Sequence, residues 1–547
     1  MQSDQVYLEM SGHVFRRYVR VLTCNIRMPI CTVKQGPATR NLPNVPRNHG
    51  SAHNCLMWFF RSKGYASVQC LLPLVACACL VLTCAGEARA QTRRAQLRIV
   101  SLAPARLRID VELPAATNVL SFRNTYGGVL GLGDRIERVE ASRDARNIQV
   151  RKLAPGEYQS ETEFTRLSYD VNVTEPAQPA QMSHVSWLNK EHGLLMLADL
   201  LPRPRDSVNI ATTITLEVPA GWTAASNLAR KDDEYSTADP DKGVYLVGPS
   251  VRAKSRRIGP TDLSLITSDE WPLSDSDALK IAEKLIKEYS NLTGHALKQN
   301  AILMLIPFPG EAGPERWSAE TRGNAVVLLL GRKASRKRVL TKLGIVLSHE
   351  IFHLWVPNAL RLAGDYDWFF EGFTLYQALR TDLRLGLISF TTYLETIARV
   401  YDSHLSSGDG DRLSLIAASA RRWTTSSSHV YDKGMLVAFV YDLMLRNAAD
   451  CQSPLDDVYR QLFRRHGTGH GTANETIIKL LTEPTGMESF GHDYVERPGR
   501  IDLEPALAAY GLQLHRGVPG RSTTRLGLAS ALNKTQRKAL RCLGYRG

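Results

Sequence analysis

Between about Ala95 and Ile266 apolar and polar residues alternate in short runs: Leu97–Val100, Leu107–Leu113, Arg135–Ala141, Ile148–Lys152, Arg166–Val173 and Asn209–Val218. A period of two buries one face of a strand and wets the other, and Pro, Gly, Asn and Asp separate the runs. The regular spacing predicts a β-sandwich. Gly127-Gly128 and Gly131-x-Gly133 read as a strand connection, because no helix follows them to bind phosphate. The basic stretch 252–257 reads as an exposed loop or a strand end. Pro260 and Pro272 bracket a change of period. Ser274-x-x-Asp277 opens a helix with a capping-box-like start. Ala278, Ile281, Ala282, Leu285 and Tyr289 give it helical spacing, and Gly294 ends it. Ile302–Ile306 and Val326–Leu330 are continuous apolar runs, the pattern of strands buried on both faces. Beyond Arg332 helical spacing dominates, over 336–355, 367–381, 390–402, 431–447, 453–465 and 474–482. The expected class is α+β and multidomain: a β-sandwich over 91–268, then a mainly helical domain over 269–448 with a helical continuation over 449–514. A basic tail with one short helix closes the chain over 515–547.

The first ninety residues differ. Cys70 to Ala85 is an apolar run, preceded by Arg61 and Lys63 and followed by Ala88-Arg89-Ala90. This is the order of a secretory signal peptide, with Met57 as its start and cleavage after Ala90. Residues 1–56 then read as an upstream extension with no periodic core pattern. An uncleaved anchor is the alternative, although the run is short for a membrane span. After cleavage no stable span is expected, so the protein is placed outside the cytoplasm, secreted or periplasmic.

Charge and cysteines sharpen this division. Of a net charge of +14, residues 1–90 carry +7, from ten Lys/Arg and three Asp/Glu. The remainder is only mildly basic and has no basic stripe with interleaved aromatics, so nucleic acid is not an expected partner. Seven of the nine cysteines precede residue 90. Cys451 and Cys542 are either one disulfide or two unrelated buried thiols.

The strongest chemistry lies at His349-Glu350-Ile351-Phe352-His353. Helix positions i and i+4 share a face, so the two imidazoles can meet one ion. Glu350 is about 100° further round and can flank the ion as a general base for water. A catalytic zinc needs three protein ligands and one open position. Glu371, in Trp368-Phe369-Phe370-Glu371-Gly372-Phe373, supplies the third from a second apolar helix. The expected cofactor is therefore Zn²⁺, held by His349, His353 and Glu371.

With these residues the chain resembles the glycyl aminopeptidases of the PDZ-containing type, gluzincins with a thermolysin-like catalytic domain. The resemblance spans roughly 120–514. It rests on Pro219-Ala220-Gly221-Trp222, the zinc residues, Tyr431-x-Lys433-Gly434 with Leu443-x-x-Arg446, Leu455-Asp456-Asp457-Val458, and the ending Ala506–Leu512. It implies a thermolysin-like zinc peptidase acting on peptide or protein, with Tyr431 donating to the oxyanion and Glu350 moving the proton. His429 is either a second donor or a loop residue. The resemblance also implies that Glu320, in Trp317-Ser318-Ala319-Glu320, anchors a substrate amine, and that the strand after it pairs with the peptide backbone. Two departures stand out: Trp317 and Ser318 replace glycines, and the 33 residues after Leu514 are too few for a PDZ domain. Trp317 would narrow the pocket for the first side chain, and without the anchoring role Glu320 is a solvated loop carboxylate. The rivals are a zinc endopeptidase that needs no free amine and a peptide- or glycan-binding protein with a residual zinc site.

Overall fold

The alternating N-terminal runs build one large sheet. In the computed structural model nine strands form it, in the order Ala229–Lys231, Glu234–Thr237, Thr212–Glu217, Arg93–Leu102, Ala105–Ser121, Glu157–Asn172, Ile136–Arg143 and Arg146–Ile148, with Val150–Ala154 also paired to Glu157–Asn172. The structure describes residues 92–203, 210–360, 362–407, 412–422, 427–448, 454–466, 471–517 and 523–546. The upstream stretch 1–56, the signal segment 57–90 and Cys451 lie outside these. Among the described residues no helix is long and apolar enough to cross a membrane.

A four-stranded sheet, Thr223–Ser226, Val244–Gly248, Gly193–Met196 and Trp187–Leu188, covers the inner face of the large one. Leu97, Leu107, Ile109 and Tyr169 of the first meet Leu195, Tyr245 and Val247 of the second in one core. The opposite face of the small sheet is buried too. Its Leu194, Met196, Val244 and Leu246 pack on Ile302, Met304, Ile306, Val327 and Leu329. This explains why Gly193–Met196 and Val244–Gly248 are buried at every position and show no alternation. A strand covered on both sides has no reason to place polar residues.

The third sheet has five strands in the order Arg252–Ile258, Thr261–Thr267, Ala301–Pro307, Ala325–Leu330 and Trp317–Arg322. Its two continuous runs divide their residues strictly by parity. Ile302, Met304 and Ile306 face the small sheet. Leu303, Leu305, Val326, Leu328 and Leu330 face the helices. Three readings change here. The stretch 252–257 is an edge strand. Trp317–Arg322, read as a loop, is the other edge. Ala325–Leu330 is an inner strand between Ala301–Pro307 and Trp317–Arg322, so its backbone groups are already paired and it cannot add a peptide. The edge position beside it belongs to Trp317–Arg322.

The helices pack on the other side of this sheet. Asp275–Thr293 begins with the reciprocal Ser274–Asp277 capping box and ends at Gly294, φ 64°. A cap of this kind contributes about 1 kcal/mol. Arg336–Phe352 carries the zinc signature and is buried along most of its length. Trp368–Phe373 is a π-helical turn that runs into Thr374–Arg384. Phe390–Ser406, Ser427–Ala448, Pro454–His466 and Ala473–Thr482 complete the helical layer. The C-terminal stretch is more than a tail. Leu512–His515 pairs with Arg525–Leu528, and Leu526, Leu540 and Leu543 are buried in the helical core. Arg446 donates to the Cys542 carbonyl at 3.1 Å, and Cys542 is disulfide-bonded.

Candidate metal centre

His349 lies in the last full turn of its helix, and His353 occupies the C-cap with helical dihedrals, φ −62° and ψ −19°. The i, i+4 relation therefore survives the helix end. The two Nε2 atoms are 3.0 Å apart. Glu371 Oε2 sits 3.5 Å from His349 Nε2 and 3.4 Å from His353 Nε2. All three side chains are buried, and their ligand atoms lie within 4.8 Å of one another. Zinc ligands bound at 2.0–2.2 Å in a tetrahedron stand roughly 3.4 Å apart, so these donors fit one zinc. His353 Nδ1 donates to the Val356 carbonyl at 2.9 Å, which leaves the Nε2 lone pair for a metal. His349 Nδ1 has no hydrogen-bond partner among the described residues.

Glu350 comes to the same place from the next helix position. Its Oε2 accepts a hydrogen bond from Thr321 Oγ1 at 2.9 Å, and the same hydroxyl lies 2.8 Å from the Glu350 carbonyl. Thr321 belongs to the edge strand, so the sheet edge fixes the carboxylate beside the imidazoles. Glu350 is itself buried, 5% exposed.

Tyr431 lies within the helix Ser427–Ala448. Its position follows from two glycines. A Cβ on Gly372 would stand 2.5 Å from Gly434 Cα, and one on Gly434 would stand 2.6 Å from the Trp368 carbonyl oxygen. Only residues without a side chain let the π-turn and this helix touch backbone to backbone. Each glycine neighbours a functional residue, Gly372 beside Glu371 and Gly434 three positions after Tyr431. The contact thus brings the phenol to the carboxylate.

Arg422 joins them, and no motif or period in the chain marks it. It follows the short helix Leu415–Ser419. Nη1 donates to Asp367 Oδ1 at 2.6 Å, and Nη2 donates to Glu371 Oε1 and to the Tyr431 hydroxyl oxygen, both at 2.6 Å. Burial alone would raise the Glu371 pKa, but Arg422 and His353 hold its carboxyl well below the usual range. Burial, reinforced by Glu371 and against the pull of Arg422, pushes the Tyr431 phenol well above its ordinary value, so it stays protonated at neutral pH.

Glu320, its side chain 11% exposed, has a different setting. Strand alternation turns Ser318, Glu320 and Arg322 towards the N-terminal sheets, and Trp317, Ala319 and Thr321 towards the helices. Glu320 Oε2 is 2.7 Å from His184 Nδ1, Arg322 Nε is 3.1 Å from Oε1, and the Tyr126 hydroxyl donates to Oε1. The Arg123 and Arg322 guanidiniums lie 4.6 and 4.4 Å from the Tyr126 ring centroid. The solvated loop carboxylate is therefore replaced by a fully partnered one. Trp317 packs over the Lys342 ammonium, 4.8 Å from its ring centroid. His429 hydrogen-bonds the Leu413 carbonyl at 3.1 Å. Two residues before Tyr431 on a helix, it does not share that face.

Residues 128–245 match the Peptidase M61 N-terminal domain. Among solved structures, an aminopeptidase N family protein from Idiomarina loihiensis superposes with a TM-score of 0.68 at 17% identity, over 81% of this chain and 82% of that one. An M1 zinc metallopeptidase mutant from Deinococcus radiodurans, bound to a Tyr-Ser-Ala substrate, matches with a TM-score of 0.47 at 14% identity, over 76% of this chain and 95% of that one. No curated protein sequence matches. The fold is thus a mixed α/β one like that of the aminopeptidase N family protein. The family match over residues 128–245 supports a relation to the M61 peptidases.

Proposed function

We propose that the protein is a zinc metallopeptidase that hydrolyses peptide bonds after export from the cytoplasm. The observation that carries this is the convergence of three buried donors, His349 Nε2, His353 Nε2 and Glu371 Oε2, beside a glutamate held at the sheet edge. Zn²⁺ bound there would act as a Lewis acid, acidifying water and drawing charge from the scissile carbonyl. Glu350 takes the proton of the attacking water and delivers it to the leaving amine. Thr321 orients that carboxylate. Tyr431, protonated and within the same cluster, donates to the oxygen that gains negative charge. The edge strand Trp317–Arg322 can pair with an extended substrate. The sequence of 57–90 supports export.

Glu350→Gln is the direct test. It should retain zinc while kcat falls by about 10²–10⁴-fold. Zinc bound at wild-type stoichiometry with an unchanged rate would remove Glu350 from the mechanism.

The end of the substrate that the enzyme holds is a narrower question. Glu320 as an amine anchor makes the enzyme an aminopeptidase. The ion pair with Arg322 favours a second reading, in which the carboxylate is already neutralised and cleavage needs no free amine. Rates on free and amino-terminally blocked forms of one peptide separate the two. A large preference for the free form supports the anchor, and equal rates support an endopeptidase.

A further inference from the structure

We propose that Arg422 is a positioning residue that couples the metal ligand to the oxyanion donor: it pins one oxygen of Glu371 and sets the direction of the Tyr431 hydroxyl. This rests on the zinc peptidase reading above and deepens it. The segment around Arg422 grips the π-turn at two points. Ser419 Oγ accepts the Trp368 amide hydrogen at 2.9 Å, and Arg422 bonds Asp367 and Glu371 at 2.6 Å each. The two carboxylates are four residues apart, so one planar guanidinium can bridge them.

Each bond has a chemical consequence. A carboxylate offers two oxygens, and an unconstrained one can rotate or bind a cation through both. Arg422 occupies Oε1, which leaves Oε2 as the oxygen facing His349 and His353. On the other side, the Tyr431 oxygen accepts an N–H from Arg422. A phenol that accepts a hydrogen bond on one side must aim its own O–H away from that cation, here to the side where Glu371 lies. Asp367 balances the guanidinium, so Glu371 can be given over to a metal without leaving Arg422 as an uncompensated buried charge. A lysine cannot reproduce this. Its ammonium is a point charge on a flexible stem, whereas the guanidinium reaches three acceptors from one rigid fork.

The test uses the full chain carrying Arg422→Met or Arg422→Lys, each alone and with Tyr431→Phe. Zinc affinity is read by competition with a chromophoric chelator, and ligand geometry by the visible spectrum of the Co²⁺-substituted protein. Turnover is measured at saturating zinc. We expect Arg422→Met to bind zinc about 10–100-fold more weakly and to change the Co²⁺ spectrum. At saturating zinc, kcat should fall by about 10²-fold with little change in KM. Arg422→Lys should recover thermal stability without recovering kcat. On the Tyr431→Phe background Arg422→Met should cost little further kcat, since both then act through one phenol. Equal losses on both backgrounds, or an unchanged kcat with only a lower melting temperature, overturn the proposal. If Arg422→Met does not fold, a folded Arg422→Lys with wild-type zinc affinity and kcat overturns it alone. Wild-type protein without zinc or turnover removes the peptidase reading and this one together. Wild-type protein with both, and an Arg422 variant that matches it, removes only this one.

Discussion

Glu371 and Glu320 are two glutamates largely withdrawn from solvent, each beside an arginine and a histidine, and they are poised for different tasks. Arg422 takes one oxygen of Glu371 and leaves the other 3.4–3.5 Å from two imidazole nitrogens. At Glu320 both oxygens are engaged, one by Tyr126 and Arg322, the other by His184. The first carboxylate turns its second oxygen to two imidazole nitrogens, a donor set that suits a shared cation. The second is saturated by donors of its own chain. Burial and a lowered pKa are common to both. The number of oxygens that its own chain leaves without a donor separates the proposed metal ligand from a structural ion pair.

Truncation should break the symmetry most sharply. Glu371→Ala should abolish zinc retention and peptide hydrolysis, because two imidazoles alone do not make the three-ligand set that a catalytic zinc needs. Its effect on folding should be modest, since Asp367 still balances Arg422. Metal analysis and a peptide turnover assay on the same sample check this, and a variant that keeps full zinc would move the third ligand elsewhere. Glu320→Gln should do the reverse. Its zinc should stay, while Arg322, with a side chain 5% exposed, loses its carboxylate. Removing one partner of a buried pair costs on the order of 3 kcal/mol. If Glu320 also anchors a substrate amine, this variant loses activity on free-amine peptides and keeps it on blocked ones.

The same two sites show what could be read from the chain alone. His349, Glu350, His353 and Glu371 are legible because helical spacing converts sequence distance into direction. The continuous runs at 302–306 and 326–330 are legible because strands buried on both faces are apolar throughout. Trp317–Arg322 is not. Its inward face is Ser318, Glu320 and Arg322, polar residues buried against polar partners from Tyr126 and His184, so no apolar period marks it as a strand. Arg422 fails for another reason. Its partners lie 9 to 55 residues away, in a turn with no period of its own. Gly193–Met196 and Val244–Gly248 escape because a four- or five-residue apolar run looks alike in a strand and in a helix.

The smallest expected effect is in acid, and it concerns the sign of the Glu320 charge. Burial works against ionisation there, but Arg322 and His184 outweigh it and hold the carboxyl below the ordinary glutamate range. A group with a lowered folded pKa contributes stability that is fully present above its unfolded value, about 4.3. That contribution is lost as the pH falls through the folded value. Metal-free wild type and metal-free Glu320→Gln, melted side by side, should therefore differ by a fixed gap near pH 5. The gap should shrink as the pH falls below about 4. Metal-free samples make protonation of the zinc ligands common to both curves. A gap that persists undiminished into strong acid would mean that shape and hydrogen bonding hold Arg322 in place. Glu320 and Glu371 would then differ in charge as well as in the oxygen left without a donor.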